Sequence, residues 1–164
     1  MEFCFNVPEA LGDGDGSVPK HIVGFEPLLT TSTKKYIHHY TLYGYGDSSV
    51  SPPTYGTCPD TCYETSCTNN KRELMWLWAP GLSGSKLPDE AGIRILGTGL
   101  KAFILQVHYD NPNDDAGMVD ASGFRIYYTS TLRANDAGVL EIGDPKVMAG
   151  PQFTYFTGTK VLAY

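Results

Sequence analysis

Four histidines carry most of the metal-binding capacity of this 164-residue chain: His21, His38, His39 and His108. Two are adjacent, and another ends the run Leu105-Gln106-Val107-His108. Neutral imidazole is a ligand for Zn, Cu, Fe and Ni. Three imidazoles from two strands of one sandwich can therefore converge on a single ion. A flat strand works against this, because successive side chains point to opposite faces. His38 and His39 can share an ion only where the backbone leaves the flat pleat. The two rings can also use different nitrogens, since Nδ1 and Nε2 differ in reach. The bland alternative is a pair of partly exposed strand histidines. Other chemistry is sparse. There is no Gly-x-Ser-x-Gly elbow and no phosphate-cradling glycine loop. Met75, Met118 and Met148 are soft donors, but an isolated methionine usually fills core space.

Four cysteines are present, Cys4, Cys58, Cys62 and Cys67, the last three spaced Cys-x3-Cys-x4-Cys. An even count in a loop-rich β chain points to two disulfides and an oxidising compartment. Zinc binding and free thiols stay open as alternatives, although no second close pair follows to complete a zinc knuckle. The N-terminus, Met1-Glu2-Phe3-Cys4, has neither the basic region nor the apolar run of a secretory leader. If the protein is exported, the expectation is that its leader lies outside this sequence.

These residues must be positioned by strands. Eleven Tyr, eighteen Gly and eleven Pro favour strands and turns over a helical bundle. Net charge is −6, which excludes a basic nucleic-acid footprint. No apolar run is long enough to span a membrane as a helix. Strands are expected over residues 2–8, 20–26, 36–45, 101–109, 123–132, 137–142 and 153–157. Pro27 should end the second of these or place it at an edge. In the clearest strand, Phe103, Leu105, Val107 and Tyr109 share one face, and Ile104, Gln106 and His108 the other. Residues 71–79 read equally as strand or helix. A long loop over 46–70 holds the clustered cysteines. The tyrosines 36, 40, 43 and 45 and the pair Trp76 and Trp78 read as packing. Together these features predict an all-β chain, an antiparallel, jelly-roll-like β-sandwich of about seven to nine short strands.

Several strings, in order, resemble the copper type II, ascorbate-dependent monooxygenases, the family of dopamine β-hydroxylase and peptidylglycine α-hydroxylating monooxygenase. They are His21-Ile-Val-Gly-Phe-Glu-Pro-Leu-Leu-Thr30, Ile37-His-His-Tyr-Thr-Leu-Tyr-Gly44, Leu105-Gln-Val-His-Tyr-Asp-Asn-Pro112 and Ala121-Ser-Gly-Phe-Arg-Ile-Tyr-Tyr-Thr129. The run from Leu132 to Gly143 looks most like the dopamine β-hydroxylase branch. The family's core has two sandwich domains with one copper each, and the resemblance places this chain on the first. It implies a boundary near 150, with residues 1–150 forming the N-terminal copper domain and 151–164 beginning a second.

The resemblance implies His38, His39 and His108 as copper ligands and ascorbate as the electron donor. This copper would take electrons from ascorbate and pass them to a second copper, where O2 and a small-molecule substrate, phenethylamine-like by analogy, react. The second copper's His-x-His and Met ligands are expected downstream, and no histidine follows His108 here. The 164 residues alone are therefore not expected to hydroxylate. His21 falls outside the implied site, as a packing or surface residue. Asp110 and Gln106 flank His108 as candidates to orient its ring. The resemblance also implies a Cys4–Cys58 disulfide, leaving Cys62 and Cys67 to pair locally. A second family bridge is lost, because Tyr45 and the region of Lys71 stand where its cysteines would be. An extracellular or secretory-vesicle location follows from the same resemblance. Other compatible readings are a monocopper binding or delivery protein, a structural sandwich without hydroxylase activity, and a three-histidine zinc hydrolase. The last lacks an evident general base.

Overall fold

The computed structural model describes residues 2–7, 11, 16–46, 56–57 and 72–140. Among these residues ten strands are formed: β1 Glu2–Asn6, β2 Lys20–Leu28, β3 Ile37–Tyr45, β4 Gly56–Thr57, β5 Arg72–Trp78, β6 Ser85–Lys86, β7 Ala91–Ile95, β8 Ala102–Tyr109, β9 Gly123–Thr129 and β10 Asn135–Asp136. A 3-10 turn, Lys34–Tyr36, leads into β3. One sheet has the order β4-β1-β8-β3-β5. The other runs β10-β7-β2-β6, with β9 along the remaining edge of β2. All named strand pairs are antiparallel except β7 with β10. The expected all-β sandwich is therefore what forms.

The two sheets close on one core because alternate residues of each face inward. Ile22, Phe25, Ile93 and Ile95 come from the β2 sheet. Tyr40, Leu42, Trp76, Trp78, Phe103, Leu105 and Val107 come from the β3–β8 sheet. Phe25 and Trp76 stack across the gap, with ring centroids 5.7 Å apart and planes 11° from parallel. Trp78 packs on Tyr40 and donates Nε1–H to the Leu82 carbonyl at 2.8 Å. On the opposite face of the β3–β8 sheet, Tyr45, Ala102 and Ile104 form a smaller cluster.

Some boundaries differ from the sequence-based expectation. Residues 71–79, ambiguous by periodicity, include the strand β5, because β3 pairs with it from Tyr40↔Trp78 to Tyr45↔Arg72. β2 runs on through Pro27, which lies beyond the β6 pairing, where only β9 flanks it. β9 ends at Thr129, short of residue 132. The strand expected from 137 is absent over 137–140, where Val139 and Leu140 are exposed. Pairing with β7 is made one step earlier, by Asn135 and Asp136. β7 itself, Ala-Gly-Ile-Arg-Ile, has no counterpart in the expectation. The disulfide expectations for Cys58, Cys62 and Cys67, the strand at 153–157, Met148 and the boundary near 150 lie outside the described residues. Of Cys4, only its backbone place in β1 is described.

Candidate metal centre

β3 and β8 pair antiparallel, so the start of β3 lies against the end of β8. The register reads Ile37↔Tyr109 and then His39↔His108. Two steps on β3 match one on β8, and His38 is the extra residue. Such a bulge bends its strand and re-aims side chains that a flat pleat would send to opposite faces. This is the departure from the pleat that a shared His38–His39 site requires.

All three imidazoles meet there. Ring centroids are 5.3 Å apart for His38 and His39, 5.1 Å for His38 and His108, and 4.8 Å for His39 and His108. Nδ1 of His38 and Nδ1 of His39 are 3.0 Å apart in a hydrogen bond. One ligand nitrogen from each ring lies within 4.8 Å of the others. Two nitrogens bonded to one ion at about 2.0–2.1 Å stand no more than ~4.2 Å apart. Small ring rotations would bring the trio into that range. Among the described residues this is the sole grouping of three or more His, Cys, Asp or Glu side chains with that geometry.

His38 and His108 are exposed and His39 is half-buried. Burial, aided by repulsion from His108 and His38, holds the His39 pKa below the ordinary histidine value. That favours the neutral ring, whose lone pair can bind metal. A trio of neutral imidazoles suits a borderline transition metal.

The remaining candidates sit elsewhere. His21 is fully buried in the other sheet. Its Nδ1 accepts the Arg133 backbone N–H at 3.0 Å, so Nε2 carries the proton and donates to Asp136 Oδ1 at 2.8 Å. Arg94 binds the other Asp136 oxygen at 2.8 Å. Among the described residues Asp110 makes no hydrogen bond to the His108 ring. The Asp110 carboxylate is exposed, and its backbone N–H goes to the Tyr36 carbonyl at 2.7 Å. Met75 is core and Met118 is exposed on the loop before β9. Sequence reasoning missed Asp120, which gathers four hydrogen bonds from Thr33, Tyr109 and Ser122. The available signal was Asp-x-Ser immediately before a strand, a pattern in which aspartate binds the backbone two residues on.

Comparison with known proteins bears on which metal such a trio would suit. The family described as copper type II ascorbate-dependent monooxygenase, N-terminal domain, matches residues 14–116. The chain belongs to this family. It is 36% identical to dopamine beta-hydroxylase of Equus caballus over 149 residues, covering 88% of this chain and 24% of the relative. It is 37% identical to DBH-like monooxygenase protein 2 of Mus musculus over 125 residues, covering 75% of this chain and 20% of the relative. Dopamine beta-hydroxylase of Homo sapiens is 32% identical over 140 residues, covering 83% and 23%. The chain thus spans about a quarter of the length of these copper monooxygenase relatives. The matched span contains all three clustered histidines. No helix among the described residues is long and apolar enough to cross a membrane.

Proposed function

We propose that this chain is the copper-binding, electron-supplying N-terminal domain of an ascorbate-dependent, O2-using monooxygenase, with His38, His39 and His108 as its copper ligands. The observation that carries the proposal is the bulge at His38, which brings three imidazoles together inside the region matching the copper family. Copper bound there supplies one-electron redox chemistry between Cu(I) and Cu(II). The protein's part is to hold three neutral donors that add no charge to the ion. Half-burial keeps His39 neutral. The exposure of His38 and His108 leaves the site open to a soluble reductant such as ascorbate.

On this reading the electrons are destined for a second copper centre, whose ligands are not among these residues, where O2 and substrate meet. The names of the relatives suggest a small phenethylamine-type substrate for the whole enzyme. Residues 1–150 would form this domain and 151–164 begin the next. A secretory-vesicle or extracellular location agrees with the family resemblance and with an even cysteine count.

The test is copper titration of the chain, followed by anaerobic ascorbate. One Cu(II) per chain is expected, with nitrogen hyperfine structure in the EPR spectrum that ascorbate bleaches. Absence of stoichiometric copper, or a signal that ascorbate leaves untouched, would remove the electron-supplying role.

A further inference from the structure

The clustered histidines occupy the last rungs of the β3–β8 ladder, beyond which strand pairing stops at Ile37↔Tyr109. A ladder end frays unless something ties it down. Here one carboxylate makes the larger tie. Asp120 accepts hydrogen bonds from Thr33 Oγ1, from Tyr109 Oη at 2.8 Å, and from Ser122 N and Oγ at 3.1 and 2.6 Å. Ser122 Oγ in turn accepts the Thr30 backbone N–H at 2.8 Å. Thr30 and Thr33 precede the 3-10 turn that delivers β3, Tyr109 follows His108, and Ser122 leads into β9. The carboxylate thus joins the approach to His38 and His39, the residue after His108, and the returning loop. A parallel tie from the same loop reaches the same turn, where Tyr36 Oη donates to Asp115.

Asp120 is also held toward its charged form. Burial opposes its charge, but the donors Ser122, Thr33 and Tyr109 outweigh burial and hold its carboxyl below the usual range. No hydrogen bond or ion pair links Asp120 to any of the three rings among the described residues. It binds Tyr109, whose side chain leaves β8 on the face opposite to His108.

We propose that Asp120 is a positioning residue for the three-histidine centre. It fixes the spacing of the imidazoles by pinning the end of β8 to the approach to β3, without touching the metal. The proposal rests on the copper-site reading only for its functional consequence. The geometric claim concerns the rings themselves.

The test uses Asp120→Asn, which keeps size but cannot accept all four bonds, and Tyr109→Phe, which cuts only the tie to β8. Asp136→Asn in the other sheet is the reference for a general loss of stability. In the metal-free chain, the imidazole NMR signals of His38, His39 and His108 are expected to shift and broaden in both test variants, with His21 unchanged. Asp136→Asn should disturb His21 alone. With copper added, affinity should fall about tenfold, the lower end of the ~10–100-fold seen when partners that orient metal ligands are lost. The Cu(II) hyperfine pattern should change with it. Wild-type ring signals in Asp120→Asn and Tyr109→Phe would overturn the proposal. Should the wild-type chain take up no copper, the ring signals still decide the positioning claim, and the copper reading falls separately.

Discussion

Replacing His108 with alanine is expected to lower copper affinity by more than about 100-fold, beyond the ~10–100-fold cost of losing a partner that merely orients a ligand. The reason is geometric. His108 is the sole member of the trio on β8 and stands directly across from His39. Without it, the remaining donors are two neighbours on one bulged strand. Stability should barely change, since His108 is exposed and accepts no structural hydrogen bond among the described residues; exposed substitutions of this kind stay within about 0.5 kcal/mol. The residual Cu(II) signal should show fewer coupled nitrogens. His21→Ala is the informative contrast, because it removes a histidine from the other sheet and should leave copper binding intact while lowering stability. Equal copper affinity in His108→Ala and wild type would remove His108 from the site.

The reach of the sequence differs between strands and site for physical reasons. β8 was legible because Phe103, Leu105 and Val107 alternate with residues of the other face over a full strand. β5 was not, because Met75, Trp76 and Trp78 are all buried while Leu77 is exposed, which fits neither period cleanly. β7 escaped notice because its two isoleucines, Ile93 and Ile95, are separated by Arg94 and preceded by Gly92, so too few apolar residues repeat. The histidines could be nominated from their types. Whether adjacent His38 and His39 could face one way depended on a single extra residue in the pairing register, a property of two strands together. The Asp120 cluster is harder still. Its partners Thr33, Tyr109 and Ser122 come from three segments that only the folded sandwich brings together. His21 shows the opposite case. A histidine in a recognisable family string proves to be a fully buried structural clamp.

That clamp yields a large expected stability effect. A methyl group added at Gly92 would lie 2.5 Å from His21 Cβ, 2.7 Å from Cγ and 2.8 Å from Nδ1. His21 cannot retreat. It is fully buried, and both ring nitrogens are engaged, by the Arg133 N–H and by Asp136. Arg133 is itself anchored, its guanidinium donating to the Pro88 and Ala91 carbonyls at 2.6 and 2.7 Å. Overpacking costs about 1–3 kcal/mol, and leaving the Arg133 N–H without its acceptor adds about 1–3 kcal/mol. Gly92→Ala is therefore expected to cost about 2–6 kcal/mol, lowering the melting temperature by roughly 5–25 °C at about 2–4 °C per kcal/mol for a chain of this size. A double-mutant series locates the strain. His21→Ala lifts the ring contacts but keeps the Cβ–Cβ clash, so Gly92→Ala should remain costly in that background. His21→Gly removes all three contacts, and there the added methyl should cost little. The copper signal should be the same throughout, because His38, His39 and His108 belong to the other sheet. An identical penalty for Gly92→Ala in all three backgrounds would mean that the strain lies elsewhere, in the β7–β10 pairing at Gly92↔Asp136 and not against His21.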